Sequence, residues 1–233
     1  MDADVASTVP AAAPWSYPVF LDLRGRRCVV VGGGELAAGK ARELRAAGAR
    51  VTVVAARPGP AIEALASRGD VQVRRRPYRT GDLAGAFLAI AAGDEPAERE
   101  AVWREATRRG LPLNSIDDPP RCSFIAPAVV RRGALSVAIS TAGRAPALAV
   151  RLRQWLEGEL GHQLARFLAL AGSVRAALAE RQPDLALRRE LWYALVDSDA
   201  LELLRRGDET GARRRFAEIL GVEPPAAGAE GAE

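Results

Sequence analysis

The sequence predicts an α/β fold: a parallel sheet with crossover helices, followed by a small β-rich segment and an α-helical C-terminal domain. Three observations predict it. From Arg27 the chain reads Arg-Cys-Val-Val-Val-Gly-Gly-Gly-Glu-Leu-Ala-Ala-Gly-Lys, an apolar β-branched run that ends in glycines and passes into a helical pattern. Apolar runs and helical patterns then alternate as far as Ile116, the rhythm of βαβ units. From Ala147 onward the periodicity is helical.

Residues 1–16 are rich in Ala, Pro and small polar residues and read as a flexible extension, so order is expected from Tyr17. Cys28 to Val31 has the length of a strand buried on both faces. Leu36, Ala37, Lys40, Ala41, Leu44 and Ala47 lie at helical spacing over Glu35 to Ala47, and Gly48 reads as the stop. Arg50 to Ala55 is a second strand, Ala61 to Arg68 a short helix, Val71 to Arg75 a third strand and Gly81 to Gly85 a turn. Ala86 to Ala92 reads as a fourth buried strand, Pro96 to Arg109 as a helix and Leu113 to Ile116 as a fifth strand. Such a Rossmann-like sheet presents ligands at the carboxyl ends of its strands, where Gly93, Asp94, Asn114 and Asp117 fall.

The pattern then changes. Phe124 to Val130 and Leu135 to Ser140 flank Arg131-Arg132-Gly133-Ala134 and read as a hairpin, apolar on both faces. One protomer's sheet need not cover it, which points to a dimer interface. Thr141 to Pro146 is a turn, and helices follow over Ala147–Leu160, Gln163–Arg181, Asp184–Val196, Asp199–Arg206 and Asp208–Leu220, with Pro183, Asp199 and Asp208 as start signals. The expected organisation is 1–16 extension, 17–123 nucleotide-binding domain, 124–157 dimerisation segment, 158–221 helical domain and 222–233 flexible tail.

With 233 residues, 48% apolar, the chain can bury a substantial core. Its net charge of +4 is carried almost wholly by arginine, Lys40 being the only lysine. The charges are dispersed, which argues against a nucleic-acid protein. The densest run, Arg74-Arg75-Arg76 with Arg79, reads as a solvated strand end, with a polyanionic small molecule as the competing partner. No apolar run of about 18 residues marks a membrane span, and no secretory signal is seen at the N-terminus, so a cytoplasmic protein is expected. Cys28 and Cys122 have neither disulfide-framework nor metal spacing, and His162 stands alone, so no metal site is expected.

Gly32-x-Gly34-x-x-Ala37 fits a dinucleotide fingerprint: Gly32 for the tight turn, Gly34 for close backbone approach to pyrophosphate, Ala37 for helix-on-strand packing. The helix N-terminus then faces the anion. The acid that would hold the ribose hydroxyls of NAD is missing, because the second strand ends Ala55-Ala56-Arg57. Arg57 can instead meet the 2′-phosphate of NADP, so these residues leave the cofactor open. Asn114-Ser115-Ile116-Asp117-Asp118-Pro119 puts an amide and two carboxylates at a strand end, where a carboxylate can take up a proton as hydride leaves. Asp-Asp-Pro is equally ordinary turn chemistry. Ser140, Thr141, Gly143 and Arg144 offer hydroxyls and a fork-shaped cation that suit a carboxylate ligand, or a helix cap.

In order along the chain, Tyr17 to Leu23, Val29 to Gly34 with Lys40-Ala41-Arg42, Ala47 to Val53, Ala89 to Ala92, Asn114 to Pro119, Phe124 to Ala128, and Ile139 to Gly143 with Pro146 to Ala149 form a specific combination. On these motifs the chain resembles the siroheme synthase N-terminal family of precorrin-2 dehydrogenases and bifunctional dehydrogenase/ferrochelatases, closely over residues 17–157. The resemblance implies a homodimer that oxidises precorrin-2 to sirohydrochlorin with NAD, and ferrous ion as a further substrate where chelation is also present. It implies Asp117 as the base and Glu35, Leu36, Ala56 and Arg57 as cofactor contacts. Together with the glycine turn and the strand ends, the expected cofactor contacts are Gly32, Gly33, Gly34, Glu35, Leu36, Ala56, Arg57 and Ala92, and the expected substrate contacts Asn114, Ser140, Thr141 and Arg144. Two departures stand out: Ala142 where the family has glycine, with Thr141 at a serine that can be phosphorylated, and Gly93 where it usually has threonine. No methyltransferase domain follows, so synthesis of precorrin-2 itself is not expected. A non-catalytic NAD-sensing module is the competing class.

Overall fold

The structure is a computed structural model and describes residues 17–225. The extension at 1–16 and residues 226–233 of the expected tail lie outside the described residues; the start of that tail is held, Val222 packing on the C-terminal core and Arg213 donating to the Pro224 and Pro225 carbonyls. Contacts divide the chain into two compact units between Ala126 and Pro127.

The first unit is a five-stranded parallel sheet of β1 (Arg27–Val31), β2 (Arg50–Ala55), β3 (Gln72–Arg75), β4 (Leu88–Ala91) and β5 (Leu113–Ser115), in the order β3-β2-β1-β4-β5. Helices α1 (Glu35–Ala46), α2 (Pro60–Ser67) and α3 (Pro96–Arg109) complete it. The unbroken apolar run of β1 follows from burial on both faces. Cys28 and Val30 join Ala37, Ala41, Val53, Ile62 and Leu65 in one core, while Val29 and Val31 join Val54, Ala89, Val102 and Leu113 in the other. Ala37 is fully buried, as expected for the small residue that lets the first helix pack closely.

No helix links β3 to β4; Asp82 organises this crossover instead. It is 3% exposed and accepts hydrogen bonds from Arg74, Arg76 and the Arg79 N–H, while Arg27 donates to the Asp82 and Ala84 carbonyls. Arg75 pairs with Glu63. The arginine run is therefore largely engaged in internal ion pairs, which sequence reading had left as a solvated strand end or a polyanion site. Buried Glu105 of α3 ties down the same crossover, accepting from the Tyr78 hydroxyl and the Gly81 N–H, and also from Arg109 of its own helix.

The second unit opens with an antiparallel hairpin, β6 (Ala128–Arg132) and β7 (Leu135–Ile139), paired Arg132 to Leu135. Gly133, at φ +56°, takes the first position of the two-residue turn. The first hairpin strand begins at Ala128 rather than Phe124. The Ser123 N–H bonds to the Leu113 carbonyl, binding this stretch to the free edge of β5, and Pro127 has no N–H to give a ladder. α4 (Pro146–Glu159) packs on the hairpin, and Arg132 caps its carboxyl end by donating to the Glu157 and Leu160 carbonyls. α5 (Gln163–Arg181), α6 (Leu185–Val196), α7 (Ala200–Arg205) and α8 (Glu209–Leu220) enclose a core that includes Phe167, Val174, Leu178, Leu195 and Phe216. Asp184 and Asp208 cap α6 and α8 through their carboxylates. Asp199 does not cap α7, because its carboxylate is taken by Arg215.

Candidate functional site

The register of the sheet gathers the candidate residues. Val31 pairs with Ala91 and Ala91 with Ser115, so β1, β4 and β5 end in one row. Just past that row come Gly32 to Leu36, Ala92 and Asp117, and past β2 come Ala56 and Arg57. Strand order reverses between β1 and β4, the crevice where open α/β sheets bind ligands.

The three glycines of the turn do different work. Gly32 has φ +134°, and a Cβ there would lie 2.6 Å from the Ala92 carbonyl carbon. A Cβ on Gly33 would overlap the Arg57 carbonyl oxygen and sit 3.2 Å from the Pro58 Cα, and the Gly59 N–H bonds to the Gly33 carbonyl at 2.8 Å. Gly34 has nothing within 4 Å of a Cβ. It is the N-cap of α1 and has no side-chain cap, so the first N–H groups of the helix are left for an anion. Sequence reading names all three glycines as cofactor contacts but gives a structural role only to Gly32 and Gly34; the constraint on Gly33 comes from a loop more than twenty residues away. Glu35 and Leu36 are exposed in the first turn of α1, as are Ala56 and Arg57 past β2.

A Cβ on Gly93 would lie 2.8 Å from Glu98 Oε2. The missing side chain thus makes room for the Glu98 carboxylate, whose other oxygen accepts the Tyr78 N–H at 3.1 Å.

At the end of β5 the two neighbouring carboxylates part company. Asp118 is held at 2.8 Å by Arg121, which also pairs with Glu100. Asp117 is exposed, in the left-handed region at φ +59°, and its carboxylate has no hydrogen bond or ion pair among the described residues. Asp is among the residues that tolerate this conformation. The loop that presents it is clasped to β5. Cys122 Sγ accepts the Ser115 N–H and contacts the Ser115 carbonyl, both at 3.2 Å. Ser123 Oγ accepts the Leu113 N–H at 2.7 Å, and Asn114 Nδ2 donates to the Phe124 carbonyl at 3.1 Å. Burial pushes both thiols up, Cys28 to about 11 and Cys122 in the same direction, which favours the protonated thiol at neutral pH. Ser115 Oγ, in the same row, is buried without a partner among the described residues.

Ser140, Thr141 and Arg144 belong to the second unit, on the loop between β7 and α4. Ser140 Oγ accepts the Ala142 N–H and Thr141 Oγ1 the Ala145 N–H, so both hydroxyls serve local turn geometry. Ala142 holds φ +51°, a conformation suited to glycine. Arg144 is exposed and its guanidinium is unpaired among the described residues. His162 is exposed at the start of α5. No group of three or more His, Cys, Asp or Glu able to hold a metal occurs among the described residues, and no described helix is long and apolar enough to cross a membrane.

Three family models match in succession: a putative NAD(P)-binding domain over residues 19–128, a sirohaem biosynthesis protein central region over 132–159 and a sirohaem synthase dimerisation region over 163–220. The dimerisation model thus falls on α5 to α8. The chain is 40% identical over 212 residues to a siroheme synthase of Azotobacter vinelandii, covering 91% of this chain and 46% of that protein. It is 37% identical over 208 residues to one of Photobacterium profundum, with 89% and 44% covered. The chain spans about half the length of the curated relatives it matches. Among solved structures it resembles SirC, precorrin-2 dehydrogenase, with a TM-score of 0.72 and 26% identity, covering 89% of this chain and all of that one.

Proposed function

We propose, for a chain that belongs to the siroheme synthase family through its NAD-binding, central and dimerisation regions, that it acts in the cytoplasm as a homodimeric, NAD-dependent dehydrogenase converting precorrin-2 to sirohydrochlorin. The observation that carries the reading is the pairing of an open phosphate turn at the sheet's switch point with an unpartnered carboxylate, Asp117, at the end of a neighbouring strand.

The residues present fit NAD. Gly34 leaves backbone N–H groups open to the pyrophosphate, Gly32 and Gly33 hold the turn close to β4 and the end of β2, and Ala56, Arg57, Leu36 and Ala92 border the crevice. The nicotinamide, when bound, supplies the hydride acceptor. Loss of hydride from the tetrapyrrole must be matched by loss of a proton, and the Asp117 carboxylate takes it. Asp118 is unsuited to that role because Arg121 already occupies its carboxylate. Asn114 acts as a positioning residue: its amide anchors the loop that carries Asp117. Ser140, Thr141 and Arg144 are proposed substrate contacts, with Arg144 offering a free guanidinium to a substrate carboxylate.

The name siroheme synthase carried by the relatives favours a second step, insertion of ferrous ion into sirohydrochlorin. Asp117, with no competing partner, can accept the pyrrole protons that the metal displaces. One anaerobic experiment addresses both steps. Purified chain, precorrin-2 and NAD should give NADH and the sirohydrochlorin spectrum, and ferrous ion added afterwards should give siroheme if chelation is present. A chain that binds NAD but leaves precorrin-2 unchanged would instead be a sensing module.

A further inference from the structure

Resting on the reading of Asp117 as the base, we infer that the Cys122 thiol is the positioning group for that carboxylate: it grips both ends of the turn on which Asp117 is carried. Residues Ser115 to Asp118 form a β-turn closed by the Asp118 N–H, which bonds to the Ser115 carbonyl at 3.2 Å, and Asp117 stands third in it at φ +59°. A turn with positive φ at its third position favours glycine or asparagine there. Another residue is kept in that conformation only where its surroundings hold it. The Asp117 carboxylate does not do so itself, since it is exposed and has no hydrogen bond or ion pair among the described residues.

The thiol supplies the hold. Cys122 Sγ lies 3.2 Å from both the N–H and the carbonyl of Ser115, the first residue of the turn, and 3.5 Å from the carbonyl of Asp118, the last. It accepts the Ser115 N–H and offers its one proton to the two carbonyls, while the Asn114 amide approaches it at 3.6 Å. Its own backbone is fixed, because the Cys122 N–H bonds to the Pro119 carbonyl at 3.0 Å. Arg121 also grips Asp118, but at the far end of the turn only and through the carboxylate. Among the described residues no other side chain hydrogen-bonds to both ends of this turn. A thiol is a weak donor and a weak acceptor, so what it gives here is geometry more than stability. Without it the turn is free to relax and carry Asp117 out of line, and a misplacement of about 1 Å can cost on the order of 10²-fold in rate.

Anaerobic kinetics of the full chain with precorrin-2 and NAD test this. Cys122→Ala should lower kcat for NADH formation by about ten- to a hundredfold, with NAD affinity and the KM for precorrin-2 within about twofold of wild type. Cys122→Ser, which keeps a donor and an acceptor, should recover most of that loss. In the Asp117→Asn background Cys122→Ala should cost no further rate, because the thiol acts through a carboxylate that is already gone. Cys122→Val keeps apolar bulk without the hydrogen bonds and carries the same comparison should the alanine variant fail to fold. A wild-type kcat in Cys122→Ala, or the same fold-loss with and without the Asp117 carboxylate, overturns the positioning role while Asp117 stands as the base. Full activity in Asp117→Asn alone would overturn the base itself, and this proposal with it.

Discussion

Asp117 and Asp118 carry the same carboxylate one residue apart, and their surroundings make them different reagents. Arg121 holds Asp118, whereas Asp117, exposed and in the left-handed region, has no hydrogen bond or ion pair among the described residues. Sequence alone left Asp-Asp-Pro balanced between turn chemistry and catalysis, because the residue that breaks the tie, Arg121, is part of the same loop and its direction is a property of the fold. The resemblance to a known family had already favoured Asp117. Gly33 shows the complementary limit. It lies inside a legible motif, yet its contact is with Arg57 across the end of β2. Gly33→Ala should therefore weaken NAD binding and lower stability by about 1–3 kcal/mol, both readable from ligand titration and urea unfolding. A Gly33→Ala protein that binds NAD normally would mean that the turn does not need this close approach.

At the scale of elements, strands and helices were legible because β1, β2 and β4 are buried on both faces and read as unbroken apolar runs. The β3–β4 crossover was not, since it is held by charge rather than by periodicity. Asp82 is buried among Arg74, Arg76 and the Arg79 N–H; these hydrogen bonds, Arg76 foremost, hold its carboxyl well below the usual range against the opposing cost of burial. For Glu105, burial pushes upward, but hydrogen bonds from Tyr78, Gly81 and Arg109 outweigh it and leave the group lowered. A carboxyl lowered in the folded state stabilises fully above its unfolded pKa of about 4, and that stability is lost as pH falls through the folded value. Asp82→Asn should thus cost about 3 kcal/mol at pH 7. The gap from wild type should narrow as the pH falls below about 4 in a series of urea titrations. A gap independent of pH would place the effect of Asp82 in packing rather than charge.

At the scale of the whole molecule, contacts divide the chain into two units, and the change from alternating strands and helices to continuous helical periodicity was visible near Ala147. The hairpin, apolar on both faces, reads from the sequence as a dimer interface. In the second unit α4 carries an apolar stripe, where Leu148, Leu152 and Trp155 are spaced along one face and are 52%, 36% and 61% exposed. If the chain dimerises through this stripe, Trp155→Asp should shift it to monomers in sedimentation velocity without loss of helical signal. A variant that stays dimeric would move the interface elsewhere, α6 with its exposed Leu185, Tyr193 and Val196 being the next apolar surface.

The most direct test of the account compares wild type, Asp117→Asn and Asp118→Asn for NADH formation from precorrin-2 under anaerobic conditions, with NAD affinity measured on the same preparations. The account predicts that all three bind NAD alike and that Asp117→Asn loses on the order of 10²–10⁴-fold in rate, the usual contribution of a positioned base. Asp118→Asn should keep most of its activity. Equal losses in both variants, or full activity in Asp117→Asn, would contradict the assignment of the free carboxylate as the base.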